Sequence, residues 1–305
     1  MAIFVYLVKE YANKMSRDAD IIIRATGKSA PLRFVLVSVK NAVNEIGSKH
    51  EAKGFALKLM AETAVASLLL SSGLKFPGTV SLRMDMDGDL RLSQADSTPQ
   101  GLLRAVIPQD DLRRTGTKEP LIIPQKLSVI QLNEKAQRVK ESIVEAPSVQ
   151  MGVNLTAYMR QSEQTRSAAG ILAQTSQKDS SGLDFAIGFL VEAYPNAETR
   201  DLEIMDAVVR TLPNLRDFYS EGEYKIRDLA DVLRGPYEIE VVKEVVPQFY
   251  CPCSHARVIA SLSSLHECEI RDLKQKNEVL EVVCDFCRTR YEIKPEEIAT
   301  PSTAC

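Results

Sequence analysis

The spacing of apolar positions predicts a mixed α and β organisation for the first two thirds of the chain. Two β-branched runs at 20–24 and 33–37, separated by Gly27, are typical of strands joined by a turn. Between 57 and 73 the apolar positions recur at helical spacing, and Gly73 stands where a C-terminal cap belongs. We interpret this stripe as a core helix that presents Leu57, Met60, Ala61, Ala64, Val65, Leu68 and Leu69.

Further along, alternation of apolar and polar residues predicts strands. One strand would direct to a single face the residues Val80, Leu82, Met84 and Met86. Asp87-Gly88 is a turn signal, so 90–93 is predicted as the return strand. Residues 153–163 predict a short helix, and the runs at 170–175 and 183–191, with a turn cluster between them, predict a second hairpin.

After residue 197 the pattern changes to short, charge-rich amphipathic helices. One predicted helix carries on its apolar face Leu202, Met205, Val209 and Leu212, and a second carries Ile226, Leu229, Ala230 and Leu233. Helices this short are not stable alone and must dock on another surface. We therefore predict a core domain at 1–197, a helical linker at 198–247 and a small C-terminal domain at 248–305, with a disordered tail from 299.

Composition narrows the class of protein. With 45% hydrophobic and 26% charged residues the chain is typical of a globular protein, and a net charge of −3 gives no electrostatic reason to expect nucleic acid as a partner. We identify no apolar run near the roughly 18 residues that span a bilayer. The apolar start is short and has no basic leader, so we expect no signal peptide, no membrane partner and a cytoplasmic location.

The C-terminal domain carries the candidate chemistry, in a Cys-X-Cys pair and a Cys-X-X-Cys pair: Cys251, Cys253, Cys284 and Cys287. Two tight pairs of thiols are what a tetrahedral zinc site needs, so we predict one zinc ion per chain. Four thiolates leave no open position for Lewis-acid catalysis. No P-loop, G-x-G-x-x-G or nucleophile constellation is present, and we expect that the protein is not an enzyme.

Such a site can still react at sulfur. Metal-held thiolates near a surface are open to attack by peroxide, and loss of two ligands would eject the metal. Structural zinc contributes on the order of 10–16 kcal/mol in small zinc peptides, so ejection should unfold a module of this size. The fold class predicted for the whole chain is α+β: an N-terminal α/β core domain, a helical linker and a small C-terminal zinc-binding domain.

The remaining cysteine and histidine side chains of this region receive simpler interpretations. We expect Cys268 to be a small, half-buried packing residue, with a resolving thiol as the alternative. His255 and His266 are alternative metal ligands, but with four thiols present we expect surface or packing roles. Cys305 is expected to be a free exposed thiol on the tail.

Taken together, these motifs resemble the redox-regulated 33-kDa heat-shock chaperone family. The C-terminal resemblance lies in Cys251-X-Cys253-Ser254-X-X-Arg257-Val258 and Val282-X-Cys284-X-Phe286-Cys287-X-X-X-Tyr291. Further landmarks follow in the family's order at Arg24-Ala25, Lys49-His50, Leu74-Lys75-Phe76, Gly101 with Arg104, and Tyr158 to Ser162-Glu163-Gln164. The chain departs from the pattern at Asp87-Gly88, Ala186-Ile187-Gly188, Cys268 and Cys305.

The resemblance implies an ATP-independent holdase that binds unfolding proteins under oxidative or heat stress. In such a protein the zinc-bound reduced form is inactive, and activation comes with two disulfides, zinc loss and linker unfolding. Because neighbours in sequence close fastest, we predict pairing of Cys251 with Cys253 and of Cys284 with Cys287. We expect client binding at Leu202, Met205, Val209 and Leu212, and a homodimer in the oxidised form.

Two alternatives from other classes remain open. A zinc-ribbon nucleic-acid-binding protein would need a basic, aromatic finger, whereas this one is rich in acidic residues: Asp285, Glu292, Glu296 and Glu297. A thiol oxidoreductase using Cys284 and Cys287 would place them at a helix start after a strand, in a thioredoxin-like unit. The sequence shows no such unit.

Overall fold

The structure is a computed structural model that describes residues 19–114, 120–176, 181–211, 226, 228–231, 238–276 and 278–299. Its described residues form two compact units, with the boundary between Phe249 and Tyr250. The α+β class predicted from the sequence is confirmed. The boundary lies two residues beyond the predicted start of the C-terminal domain, because residues 248 and 249 pair with a core strand.

The first unit contains a five-stranded antiparallel sheet, referred to here as the first sheet. Its strands are β1 (Ile21–Gly27), β2 (Leu32–Ser38), β8 (Ser167–Thr175), β9 (Leu183–Ala193) and β10 (Ile239–Val245), in the order β10-β1-β2-β9-β8. The predicted strands at 20–24 and 33–37 and the hairpin at 170–191 are confirmed; Asp179 and Ser180 of its turn lie outside the described residues.

The second sheet has six strands. They are β3 (Gly78–Gly88), β4 (Leu92–Ser97), β5 (Leu102–Val106), β6 (Ile122–Asn133), β7 (Arg138–Glu145) and β11 (Gln248–Phe249), in the order β11-β5-β4-β3-β6-β7. The predicted core face of β3 is confirmed, since Val80, Leu82, Met84 and Met86 are all buried. The return strand begins at Leu92 rather than at 90, because Met86 and Arg91 still close the turn with a backbone hydrogen bond.

Four helices of the first unit are α1 (Lys40–His50), α2 (Gly54–Ser71), α3 (Gln109–Arg114) and α4 (Met151–Gln161). α4 confirms the helix predicted at 153–163. α2 confirms the helix predicted at 57–73, but it is buried on nearly every side because it packs against strands of both sheets. At Gly188 of β9 a Cβ atom would lie 2.5 Å from Val65 Cγ1 of α2, so this glycine allows the close approach of helix and sheet.

Buried hydroxyl groups fix the position of α2 on the second sheet. Thr63 Oγ1 lies 2.8 Å from Ser93 Oγ, and Ser67 Oγ lies 2.7 Å from Ser97 Oγ. One turn further, Ser97 Oγ donates to Ser71 Oγ over 2.9 Å. A sliding of the helix along β4 would break these bonds between helix and strand and remove the partners of the buried Ser93 and Ser97 hydroxyls, which is costly.

The expectation that no segment approaches the length of a membrane span is wrong for α2. By length and composition the 18-residue helix Gly54–Ser71 is apolar enough to cross a membrane. Its apolar character has another explanation here, since 78% of that segment is buried inside the protein between the two sheets. A core helix buried on all sides shows the same pattern.

The first sheet is covered on its second face by elements of the predicted linker. Helix α5 (Thr199–Thr211) buries Met205 and packs Leu202 against a cluster that includes Phe34 and Phe189. The described helical residues at 226 and 228–231 add Ile226, Leu229 and Ala230 to the same cluster. The side chain of Val209, together with Leu212 and Leu233, lies outside the described residues.

The linker is not helical throughout, which corrects the prediction for its last part. Residues 239–245 form strand β10, paired antiparallel with β1. Residues 248–249, which the prediction assigned to the C-terminal domain, form β11, paired in parallel with β5. The physical reason is visible in the sequence Ile-Glu-Val-Val-Lys-Glu-Val, because β-branched residues favour strands over helices.

A buried carboxyl group in α2 generates a prediction about pH. Burial raises the pKa of Glu62 to about 7, against weaker opposing effects of Lys58 and the Ala173 N–H. Because this folded-state pKa lies above the unfolded value of 4.5, stability falls as pH rises from about 4.5 through 7. Glu62→Gln keeps an acceptor for Ala173 and cannot ionise. We expect it to be more stable than wild type at pH 8 by up to about 3 kcal/mol.

Urea unfolding at pH 5 and pH 8 measures this effect. The matched control is Glu45→Gln on α1, where the carboxylate is exposed and the substitution should change little at either pH. Equal pH dependence in Glu62→Gln and wild type would contradict the assignment.

Candidate metal centre

The second pair of thiols lies in the loop of a two-stranded hairpin. Strands β12 (Leu280–Val283) and β13 (Arg290–Ile293) pair antiparallel, and Cys284 begins the loop that joins them. The Cys284 N–H donates to the Thr289 carbonyl over 2.9 Å, and the Arg288 N–H donates to the Cys284 carbonyl over 2.9 Å. Arg288 adopts a left-handed backbone with φ of 61°, which turns the chain back toward β13.

The first pair immediately precedes a helix. Ser254 caps α6 (His255–Leu262), its Oγ accepting a hydrogen bond from the Arg257 N–H over 3.3 Å. Cys253 therefore lies just before a capped helix start, and Pro252 restricts the backbone between it and Cys251. Helix start and hairpin loop each supply two sulfur atoms from short, constrained backbone.

All four sulfur atoms converge. Each Sγ lies within 4.8 Å of the others, with Cys251 and Cys284 3.8 Å apart and Cys253 and Cys287 3.2 Å apart. A tetrahedral zinc–thiolate site with bonds of about 2.3 Å has sulfur atoms roughly 3.8 Å apart, so this donor set fits zinc. The four sulfur atoms would fill the tetrahedral coordination shell of a zinc ion and leave no position for water.

Hydrogen bonds distinguish the four thiols. Burial raises the pKa of Cys253 to about 12, with further contributions from Cys287 and Cys251 and an opposing one from Tyr291. Burial also acts to raise the pKa of Cys287, but donation from Thr289 and the neighbouring thiols brings it down to about 7. Cys287 therefore ionises readily, whereas Cys253 resists ionisation. A divalent cation removes that conflict, because it favours every thiolate at once.

The apolar core beside this cluster is small. Only Ile270, Ile293 and Ile298 are fully buried in its hydrophobic cluster, although several partly buried side chains pack around them. A module of this size gains little from apolar burial, so a bound metal would supply a large share of its stability.

The other sequence-predicted residues lie outside the cluster. Among the described residues the only group able to hold a metal consists of the four cysteines, and neither histidine belongs to it. His255 is exposed and faces Glu297 at 3.6 Å, and His266 is exposed as well. Cys268 is exposed on α7 (Glu267–Lys276), so its prediction as a half-buried residue is wrong. Cys305 lies outside the described residues.

Sequence reasoning assigned no role to two residues that contact the thiols. Tyr291 donates its hydroxyl to Cys253 Sγ over 3.0 Å, and Thr289 Oγ1 lies 3.1 Å from Cys287 Sγ. The signal was present, since both follow Cys287 closely and the loop returns directly into β13. The Cys284-X-X-Cys287 motif lies between two strands, not at a helix start, so the context expected of a thioredoxin-like oxidoreductase is absent at this site.

Comparison with known proteins settles the family. The model of the Hsp33 protein family matches residues 20–294, which is most of the chain. The chain belongs to the Hsp33 family. A relative from Microcystis aeruginosa named 33 kDa chaperonin is 27% identical over 300 residues, covering 92% of this chain and 96% of the relative. Another of the same name, from Latilactobacillus sakei, is 23% identical and covers 92% and 97%.

A solved structure agrees with the fold of this Hsp33-family chain. The crystal structure of the 33 kDa chaperonin from Thermotoga maritima superposes with a TM-score of 0.72 at 22% identity, covering 92% of this chain and 96% of that one. Membership of the Hsp33 family supports a chaperone function, and the four-cysteine cluster could hold a metal ion.

The cluster predicts metal binding by the Hsp33-family chain with a defined ligand set. We expect the reduced protein to bind one zinc per chain, and Cys284→Ser to lower zinc affinity at least a hundredfold because one of four sulfur donors is lost. Competition with a chromophoric chelator measures the affinity. Cys268→Ser, an exposed cysteine outside the cluster, is the matched control and should bind as wild type does. Full affinity in Cys284→Ser would refute the ligand set.

The Tyr291 hydrogen bond predicts a kinetic effect. A donor to sulfur stabilises the thiolate and makes it less nucleophilic, so Tyr291→Phe should speed the reaction of Cys253 with peroxide. A hydrogen bond of about 1 kcal/mol corresponds to a rate increase of roughly fivefold. Stopped-flow measurement of zinc release, with the exposed Tyr250→Phe as control, tests this expectation. An unchanged rate would mean that the hydrogen bond does not limit reactivity.

Proposed function

We propose that this protein is a redox-regulated, ATP-independent holdase chaperone. In the reduced, zinc-bound form it would be inactive. Oxidation would form two disulfides, release zinc and unfold the linker, so that the protein binds unfolding proteins and prevents their aggregation under oxidative or heat stress. The observation that carries this proposal is a convergent set of four cysteines in a module whose hydrophobic cluster, among the described residues, has three fully buried side chains.

The sensing step takes place at sulfur and balances with peroxide as oxidant. Two thiols give up two electrons and two protons, one sulfur–sulfur bond forms, and one peroxide becomes two waters. Oxidation of two pairs therefore consumes two peroxides and removes all four donors. The pairing we propose remains Cys251 with Cys253 and Cys284 with Cys287. The distances do not select it, since all four sulfur atoms lie within 4.8 Å of one another and the cross pairs are 3.8 and 3.2 Å apart.

The response would be loss of order in the linker. Without its metal the C-terminal module would retain little beyond the small cluster around Ile270. Residues 198–247 join that module to the core, and their helical part is held largely by packing against the first sheet. Undocking would expose Leu202 and Met205, and also the sheet face formed by residues such as Phe34 and Phe189. A contiguous apolar surface of this kind binds unfolding chains.

Further properties follow from the same proposal. The protein would act by binding and not by catalysis, would carry one zinc ion per chain when reduced, and would form a homodimer when oxidised. Its partners would be unfolded or oxidatively damaged proteins, in the cytoplasm. Nucleic acid and membranes are not expected as partners, given the net charge of −3.

One titration tests the proposal. Zinc release and suppression of aggregation of a heat-denatured client should rise together as peroxide is added, with peptide mapping finding Cys251–Cys253 and Cys284–Cys287 disulfides. Full suppression of aggregation by the reduced, zinc-loaded protein would contradict redox control. Disulfides that join the two pairs would overturn the pairing alone and leave the redox switch in place.

A second prediction concerns linker docking. Met205 is buried in the cluster on the first sheet, whereas Ala207 on the same helix is exposed. Met205→Asp would bury a charge, which is strongly unfavourable, so the helix should undock and the reduced protein should bind clients. Ala207→Asp places the same charge in solvent and should remain inactive. If Met205→Asp stays inactive with zinc bound and its linker amides stay protected from hydrogen exchange, the client surface lies elsewhere.

A further inference from the structure

Strand β10 is the edge strand of the first sheet and pairs with the outer side of β1, the next strand in the sheet. Its pairing with β1 runs from Ile22 opposite Val245 to Gly27 opposite Ile239, with an irregularity after Arg24. In the described part of the chain no strand pairs with the other side of β10. Without β10, β1 would become the edge of the sheet, with its backbone N–H and C=O groups unpaired.

The two strands differ in how firmly they are held. In β1 the residues Ile21, Ile22 and Ile23 are all buried, with exposures of 5%, 0% and 1%. In β10 only Ile239 is buried, and Val242 is 66% exposed. Three of the seven β10 residues are charged: Glu240, Lys243 and Glu244. β10 therefore depends on its backbone pairing and on a few partly buried contacts.

The chain that follows β10 leads directly to the metal centre. The Gln248 N–H donates to the Gly101 carbonyl over 2.9 Å, and the Phe249 ring packs against the main core with the Lys49 ammonium 5.3 Å from its centroid. Phe249 is two residues before Cys251 in sequence. The segment that seals the β1 edge is thus the last part of the linker before the first cysteine pair.

We propose that the β1 edge is a docking site for client segments in extended conformation, which add to the first sheet as an antiparallel strand once β10 has left. This inference rests on the proposed function and names the kind of chain that it binds. Exposed, apolar edge strands accept a further strand through main-chain hydrogen bonds, largely independent of sequence. Suitable clients are unfolding β-rich segments with β-branched residues and no proline.

β10 itself shows what kind of strand the β1 edge accepts and why that edge is occupied while the linker is docked. Its sequence, Ile-Glu-Val-Val-Lys-Glu-Val, is a β-branched strand with alternate contacts to the sheet. As part of the same chain it competes with clients at an effective concentration on the order of millimolar. A client strand can replace it only when the linker is released.

A synthetic peptide with the sequence of residues 238–246 tests the inference on the full-length protein. We expect the fluorescently labelled peptide to bind the oxidised, zinc-free form at least tenfold more tightly than the reduced, zinc-loaded form. Two N-methylated versions provide the matched control. Methylation of the amides that donate to β1 should abolish binding, whereas methylation of the amides that point away from β1 should leave it unchanged, because only one side of an added strand donates to the sheet. Equal effects of the two sets would overturn strand addition.

Variants in β10 provide an independent test of the inference. Val241 packs against the sheet cluster, while the adjacent Val242 is exposed. Val241→Asp should let the peptide bind the reduced, zinc-loaded protein, and Val242→Asp should not. Peptide that binds neither Val241→Asp nor the oxidised wild type would contradict the inference.

Hydrogen exchange separates this inference from the proposed function. In the oxidised protein the β1 amides that face β10 should exchange faster, and they should regain protection when a client binds. Suppression of client aggregation with those amides protected throughout would refute the edge site and leave the holdase function standing. Oxidised protein that does not suppress aggregation would instead refute the proposed function.

Discussion

The structure depends on one constraint: the first sheet is apolar on both faces and must be covered on both. Alternate residues of β1 point to opposite sides, Ile22 into the main core and Ile21 and Ile23 into the cluster under the linker. The inner face is covered by α1 and α2, which belong to the core itself. The outer face is covered by α5 and the helical residues at 226 and 228–231, and the edge by β10. One face and one edge of the first sheet are therefore covered by the segment that precedes the metal centre in sequence.

The C-terminal module, unlike the first unit, has only a small apolar cluster among its described residues. Its cluster of three fully buried isoleucines is too small to hold it firmly, and the four cysteines lie where they can add a metal-based constraint. Under the proposed function, oxidation of the thiols would act on this module, while the apolar surface lies in the larger unit. The linker joins the two in sequence, and this is the connection through which the proposed switch would expose a sheet face.

The hydrogen bonds around the sulfur atoms explain why the four cysteines need not react alike. Thr289 helps one thiol to ionise, and Tyr291 donates to another. Both residues belong to the short path from the hairpin loop into β13. The stability of the loop and the reactivity of the thiols thus rest on the same few residues.

The sequence by itself determined the features that depend on the spacing of nearby residues. Alternation gave the faces of β3, helical spacing gave α2, and cysteine spacing predicted that Cys251, Cys253, Cys284 and Cys287 would come together. It failed at β10, where the helical interpretation was extended through a β-branched run, because a strand's identity depends on the edge that it pairs with. Tertiary structure alone decided that α2 lies between two sheets and that the linker covers one sheet face. These relations join residues far apart in sequence, and no local periodicity records which surfaces meet.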